Sequence, residues 1–361
     1  LVGSEMCIRD RLIYSYDGET VCIEAWGKDA LRVRATKNRS FTGRDWALEA
    51  KDAHAGEVEI FEDPSAKGGA FANMYEGTDT SYGKITNGKL HAVIDSGSVI
   101  TFYHEDGRVL LKEHFRRLRD EESMPLNIMG REYSNGVGDN FHIVARFVAR
   151  KGEKIFGMGQ YQQHELDLKG CMLELAQRNS QVSVPFYLSS IGYGFLWNNP
   201  GVGQVMFANN GTEWVTESGK EIDYLVIAGD TPAEIEENYM TLTGKPPMMP
   251  EYGMGFWQCK LRYWNQEQLL SVARKYKELG VPLDVIVVDF FHWTKQGEFK
   301  FDPKYWPDVP GMCRELKEMG IQVVVSVWPT VDIYSENFEE MKEKGYLVRT
   351  EHGVPLTMLC G

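Results

Sequence analysis

Between positions 244 and 250 the chain reads Gly-Lys-Pro-Pro-Met-Met-Pro, three prolines in seven residues. Proline fixes φ, carries no amide proton and pushes the residue before it out of the helical region. Neither a helix interior nor a central strand can run through such a stretch. The chain must therefore be read as two segments, residues 12–243 and residues 244–361, and their hydrophobic patterns follow different rules.

In the first segment short runs alternate apolar with polar residues or collect β-branched and aromatic side chains. Examples are Lys89-Leu-His-Ala-Val-Ile-Asp95, Ser98-Val-Ile-Thr-Phe-Tyr103, Gly203-Gln-Val-Met-Phe-Ala208 and Ile222-Asp-Tyr-Leu-Val-Ile-Ala228. Turn-rich pieces such as Asp106-Gly-Arg108 and Asn209-Asn-Gly211 separate them, and long helical periodicity is nearly absent before Pro232. This pattern predicts an antiparallel β-sandwich. Residues 231–240 read as a capped helix, with Pro at the first helical position and acids in the first turn.

Beyond the prolines, the strand-like runs 253–259, 283–288 and 321–327 alternate with helical spacing over 266–279, 310–319 and 335–344. Strands apolar on both faces demand parallel pairing with helices packed outside. The order is that of the first three βα units of an eight-stranded (β/α)8 TIM barrel, although a doubly wound sheet would begin in the same way. The expected class is multidomain: an all-β sandwich followed by a parallel α/β unit, either a truncated barrel or a doubly wound sheet.

The chain has 361 residues, of which 43% are hydrophobic, enough for two cores. Its 52 acidic and 39 basic side chains give a formal charge of −13, so nucleic acid and an anionic membrane are poor partners. No window approaches the ~18 consecutive apolar residues of a membrane helix. The six cysteines, at 7, 22, 171, 259, 313 and 360, show no metal-ligand or disulfide spacing. Reduced thiols are expected, without metal or organic cofactor. Residues 1–11 (LVGSEMCIRDR) resemble the translation of a transposase-type sequencing adapter and are set apart as a scar. The run 355–361 ends without a cap, so the chain reads as a fragment cut at both ends. With the native start hidden, no leader can be read; the cytoplasm is the favoured location.

In either parallel architecture chemistry gathers at the carboxyl ends of the strands. There the sequence places Asp289-Phe-Phe-His-Trp293 after the second strand and Trp328-Pro329 after the third; Trp257 lies on the first, with Lys260-Leu-Arg-Tyr-Trp264 following it. One carboxylate among aromatic rings grips a polyhydroxylated ring by stacking and paired hydrogen bonds, so a sugar is the natural ligand. Each residue alone also has an ordinary explanation: Asp as a cap or turn residue, Trp as packing, His292 as a satisfied structural histidine. Asp302 and Asp308 sit in turns that a structural role explains. Phe156-Gly-Met-Gly-Gln160 lacks the third glycine and helix start of a phosphate loop and is read as a β-bend.

Several ordered motifs together resemble one family. Gly253-Met-Gly-Phe-Trp-Gln-Cys-Lys-Leu-Arg-Tyr263, Val285-Ile-Val-Val-Asp-Phe-Phe-His-Trp293, Phe301-Asp-Pro-Lys-Tyr-Trp-Pro-Asp308 and Val325-Ser-Val-Trp-Pro-Thr330 are similar to the opening barrel strands of glycoside hydrolase family 31, in its bacterial α-xylosidase and α-glucosidase subgroup. Phe156–Gln160, Leu168-Lys-Gly170, Gln177-Arg-Asn179 and Gly192-Tyr-Gly-Phe-Leu-Trp-Asn-Asn-Pro200 are similar to its N-terminal galactose-mutarotase-like sandwich. The resemblance implies a retaining α-glycosidase acting on terminal α-linked xylosyl or glucosyl residues through two aspartates. Both would lie on later strands and loops, past Gly361, so no catalytic residue is expected in this chain and the fragment should be inactive. Asp289 matches the aspartate that binds substrate hydroxyls and Trp328 a subsite wall. Phe290, Phe291, Trp293 and Arg262 are further substrate-binding positions, and 160–165 is the candidate loop at the pocket mouth. Crowding by Phe290, Phe291 and Trp293 leans towards xylosides over glucosides.

Three alternatives stand beside this reading: a transglycosylase on the same scaffold, a non-catalytic carbohydrate-binding protein, and an aldose epimerase built on the sandwich alone. The last leaves the βα part without a purpose. An oligosaccharide or α-glycoside is the expected partner, and homo-oligomerisation is left open.

Overall fold

The computed structural model describes residues 11–49, 56–62, 81–95, 97–114, 116–118, 126–350 and 353–356. The adapter reading falls on residues 1–11, of which only Arg11 is described, and residues 357–361 of the closing run also lie outside. The backbone divides into two compact units, Leu1–Pro246 and Pro247–Gly361, with the division inside the proline cluster.

The first unit is built from antiparallel strands. A seven-stranded sheet runs in the order Arg11–Tyr16, Glu19–Ala25, Ala30–Thr36, Ile222–Ala228, Tyr193–Trp197, Val182–Ser189, Ile155–Gln160. A five-stranded sheet runs Arg131–Asn135, Phe141–Phe147, Gly211–Gly219, Gly203–Ala208, Met172–Leu175, and a second runs from Glu57–Glu62 through Ser81–Asn87, Leu90–Ile94 and Ile100–His104 to Val109–Lys112. Side chains of all three meet in one core that includes Ile23, Val33, Ile85, Phe102, Phe147, Phe195, Trp214 and Tyr224. Leu90–Ile94 alternates buried with half-buried residues, as a strand with one core face must. Ile222–Ala228 is buried at every position. Tyr224 and Val226 enter the main core, while Leu225 and Ile227 pack under the helix Pro232–Thr243 with Ile235 and Leu242. That helix begins at Thr231, whose hydroxyl accepts the Glu234 N–H, with Pro232 in the first turn.

Residues 156–160 belong to the edge strand Ile155–Gln160, which breaks register between Gly157 and Gly159. Three consecutive residues there have positive φ: Gly157 at 117°, Met158 at 69° and Gly159 at 92°. A Cβ at Gly159 would lie 2.3 Å from the Val182 carbonyl oxygen, so a close backbone approach explains that glycine.

The second unit holds a three-stranded parallel sheet, ordered Trp257–Cys259, Val285–Val288, Gln322–Val325. Helices Gln266–Glu278 and Val309–Glu318 form the crossovers, and Phe338–Glu343 follows the third strand. Leu269, Leu270, Ala273, Met312 and Leu316 from the first two helices pack on Ile286 and Val288. This is strand–helix alternation with the helical cover of a parallel sheet. The run expected as a strand from 253 is shorter than its apolar pattern suggested. Glu251–Met254 forms a 3₁₀ turn, and the Asp284 carboxylate accepts the Phe256 N–H at 3.0 Å before the ladder starts at Trp257.

Candidate functional site

The parallel ladder sets the heights of the strand ends. Val288 pairs with Val325, and its carbonyl takes the Ser326 N–H at 2.9 Å, so Asp289 emerges next to the segment that leads to Trp328. On the other side Cys259 pairs with Val287, and its Sγ lies 3.8 Å from Asp289 Oδ2. The Asp289 carboxylate is half-buried, and its Oδ1 accepts the Phe290 N–H at 2.8 Å. Burial first, then the charge of Asp289, pushes the Cys259 thiol above its ordinary pKa, so it stands as a neutral S–H beside the carboxylate.

The rings that follow this carboxylate in sequence form, with Trp328, a connected wall. Phe290 stacks on Trp328 with centroids 5.6 Å apart and planes 18° apart, and touches Phe291 at 4.3 Å. Trp293 lies 6.2 Å from Phe291 and 6.5 Å from Trp328. Trp328 is 40% and Phe291 53% exposed, leaving apolar faces available to a ligand, whereas Trp293 is buried and backs the wall. The Arg262 guanidinium lies 3.4 Å from the centre of the Trp264 ring and 5.1 Å from that of Phe291, which brings the loop after the first strand into the cluster. All six positions expected from the sequence, Asp289, Trp328, Phe290, Phe291, Trp293 and Arg262, are thus linked by short contacts. Trp257, from the first strand, instead turns its indole N–H to the Gly253 carbonyl at 3.2 Å.

The loops carrying these rings are tied to each other. Asp332 N–H donates to the Gln296 carbonyl at 3.0 Å, Lys295 Nζ to the Tyr334 carbonyl at 2.8 Å, and Asn337 Nδ2 to the Gly297 carbonyl at 2.6 Å. Gly297 has φ 86°, and a Cβ there would meet Val331 at 2.7 Å, so this seam requires glycine. Asp308 and Asp302 do structural work: Asp308 Oδ1 caps the helix Val309–Glu318 by accepting the Gly311 N–H, and Asp302 Oδ1 accepts the Lys304 N–H. Cys259 was not singled out by pattern, and His292 was read from the sequence as a satisfied structural histidine, which its burial and its bond to the Asp289 carbonyl bear out. Only strand register shows the thiol beside Asp289, and only the turn shows what the imidazole holds.

Two concavities in the first unit, about 540 and 590 Å³, share Trp46, Asn198 and Asn199 in their linings. The shared Asn198 is already engaged: its amide donates to Asp223 at 2.8 Å and its carbonyl accepts the Ala47 N–H at 3.3 Å. Among the described residues there is no group of three or more His, Cys, Asp or Glu placed to hold a metal ion. No helix of the described residues is long and apolar enough to cross a membrane.

With this geometry established, similarity to known proteins places the chain. Residues 20–205 match the glycosyl hydrolase 31 N-terminal galactose mutarotase-like domain, and residues 246–358 match the glycosyl hydrolases family 31 TIM-barrel domain. An uncharacterized family 31 glucosidase of Pseudescherichia vulneris is 42% identical over 356 residues, covering 96% of this chain and 64% of that protein. An alpha-xylosidase of Saccharolobus solfataricus is 36% identical over 219 residues, 58% of this chain and 30% of its own length. The crystal structure of a family 31 alpha-xylosidase from a soil metagenome, complexed with xylose, superposes with a TM-score of 0.87 at 47% identity, over 98% of this chain and 52% of that one. The chain thus spans less than two thirds of the length of these relatives. A mutarotase-like sandwich followed by the opening βα units of a TIM barrel, each matched by its own domain model in the right order, shows that this chain belongs to glycoside hydrolase family 31.

Proposed function

We infer that the chain is the sugar-gripping front part of a retaining α-glycosidase that removes terminal α-linked xylosyl or glucosyl residues. The observation that carries this reading is Asp289 at a parallel strand end, followed directly by Phe290 and Phe291, whose rings join that of Trp328 in one cluster. A carboxylate with one oxygen fixed by the Phe290 N–H still has lone pairs for two neighbouring hydroxyls, and exposed ring faces cover the C–H face of a pyranose. Asp289 holds and orients the ring. Retaining hydrolysis further needs a nucleophile and an acid/base about 5 Å apart. We assign both to aspartates on later barrel strands, in the portion of the relatives that this chain does not span. The crowded corner made by Phe290, Phe291 and Trp293 leaves less room for an exocyclic hydroxymethyl group and favours xylosides; the alpha-xylosidase relatives support that lean.

Isothermal titration of the chain with xylose tests the binding half. Saturable binding that is lost in Asp289→Asn supports it; binding unchanged by that substitution removes Asp289 from the site. Turnover of an aryl α-xyloside by a version extended to the relatives' full length, with none by the 361-residue chain, supports the catalytic half. Turnover by the short chain would overturn the assignment of the catalytic pair, and sugar binding without turnover by the long one would favour a carbohydrate-binding protein. We further propose a cytoplasmic location, which fractionation of the native host would test. Light scattering of the extended protein reads its oligomeric state.

A further inference from the structure

We propose that His292 is a positioning residue for the sugar site: by holding the peptide plane between Asp289 and Phe290, it aims the Asp289 carboxylate. The inference rests on the reading of Asp289 as a sugar-binding group. Its basis is one peptide unit caught on both sides. The carbonyl oxygen of Asp289 lies 3.0 Å from His292 Nδ1, and the N–H of the same peptide, on Phe290, donates to Asp289 Oδ1 at 2.8 Å. Because a carbonyl only accepts, Nδ1 must carry the proton. Turning that peptide would swing the Phe290 N–H away and release Oδ1, so the imidazole fixes the carboxylate through the plane it holds.

The imidazole is itself well anchored. His292 is 3% exposed, its ring packs 4.7 Å from Trp293 and 4.8 Å from Phe301, and its carbonyl accepts the Asp302 N–H at 2.7 Å. Burial lowers its pKa, so the ring stays neutral near pH 7 and brings no competing charge to the carboxylate. The turn it closes contains Phe291 at φ 62°, a left-handed conformation unfavourable for a bulky side chain. Such a turn needs a clamp, and the Nδ1 bond across it supplies one.

The test uses the whole chain in four variants: Asp289→Asn, His292→Phe, His292→Asn and His292→Gln. Asn places its amide N–H near the position of Nδ1, Gln carries it one bond further out, and Phe keeps the ring without a donor. The first readout is the rate at which iodoacetamide alkylates Cys259, followed by peptide mass mapping. The Asp289 carboxylate, 3.8 Å from Sγ, suppresses the thiolate, so Asp289→Asn should speed alkylation by about threefold or more. His292→Phe and His292→Gln should approach that rate, and His292→Asn should stay near wild type. The second readout is xylose affinity, expected to fall by roughly tenfold in the Phe and Gln variants and to be kept in the Asn variant.

Wild-type alkylation in His292→Phe, or equal rates in the Asn and Gln variants, would overturn the proposal. Should the Phe variant fail to fold, the Asn–Gln comparison still decides it. A wild-type chain that binds no xylose would remove the sugar-site reading, while the alkylation arm still reports whether His292 aims Asp289.

Discussion

Asp223 and Arg32 are both fully buried, 191 residues apart in sequence, on neighbouring strands of the seven-stranded sheet. Arg32 Nε and Nη2 donate to the two Asp223 oxygens at 3.0 and 2.6 Å, Nη1 reaches Asp45 Oδ1 at 2.7 Å, and Asn198 Nδ2 also donates to Asp223 at 2.8 Å. A buried pair of this kind gains little over apolar packing, but removing one partner leaves an uncompensated charge out of water. Asp223→Ala should therefore destabilise the first unit by about 3–5 kcal/mol. The double change Arg32→Met with Asp223→Leu should cost less than that single one, although it strips Asp45 and Asn198 of a partner. Urea unfolding midpoints of the two variants check the order, and a double variant no more stable than Asp223→Ala would contradict it. Neither residue was legible as a site or as a pair in the sequence. A charged residue inside an otherwise apolar run such as 222–228 signals burial with a partner, but not which partner, because the register that joins Asp223 to Arg32 is set by tertiary pairing.

At the scale of elements, strand boundaries in the first unit follow local signals closely: Gly203–Ala208 and Ile222–Ala228 coincide with the runs read from the sequence. Alternation and turn residues carry that information locally. The parallel strands are shorter than their apolar runs. The run 321–327 contracts to Gln322–Val325, because beyond Ser326 the chain turns out towards Trp328 and Pro329, and proline bars its predecessor from helix and itself from a ladder. Asp289 stood out only through company: an Asp after a strand is commonly a cap or turn residue, and it was the coincidence with aromatic residues at neighbouring strand ends that singled it out. Cys259 was not legible, since its neighbour belongs to another strand. Three of the four helix starts lay within a residue of their signals, whereas the helix expected from 335 begins only at Phe338, without a side-chain cap; one of the signalled starts can be weighed. Asp308 accepts the Gly311 N–H at 2.9 Å at the N-terminus of Val309–Glu318, with Pro310 in the first turn. Asp308→Ala should lower the stability of the second unit by about 1 kcal/mol, and Asp308→Asn by only a few tenths. Amide exchange within residues 309–318 reads the difference; equal protection in both variants would mean that the cap contributes nothing.

The whole molecule presents an imbalance between its two units. In the first, the seven-stranded and five-stranded sheets share one core and their apolar faces are covered. In the second, three parallel strands stand as an open sheet among the described residues, and Gln322–Val325 is an edge. Its sequence is that of a strand buried on both faces, yet Gln322 is exposed and Val323, Val324 and Val325 are only half-buried. Val323 and Val325 pack towards the helices, so by strand alternation Val324 faces the opposite side of the sheet, where no helix of the core cluster lies. In the segment that follows the strand, Val327, Trp328, Ile333 and Tyr334 are also exposed. An apolar edge with free backbone donors and acceptors is a template for pairing with another copy. The 361-residue chain is expected to self-associate in a concentration-dependent, open-ended way, and Val324→Lys to suppress this by placing a charge where a second sheet would have to pack. Sedimentation velocity across a concentration series provides the measurement, with the thermal transition of the sandwich as the control that should not move. If the lysine variant sediments like the parent at every concentration, the adhesive surface lies elsewhere than on this strand.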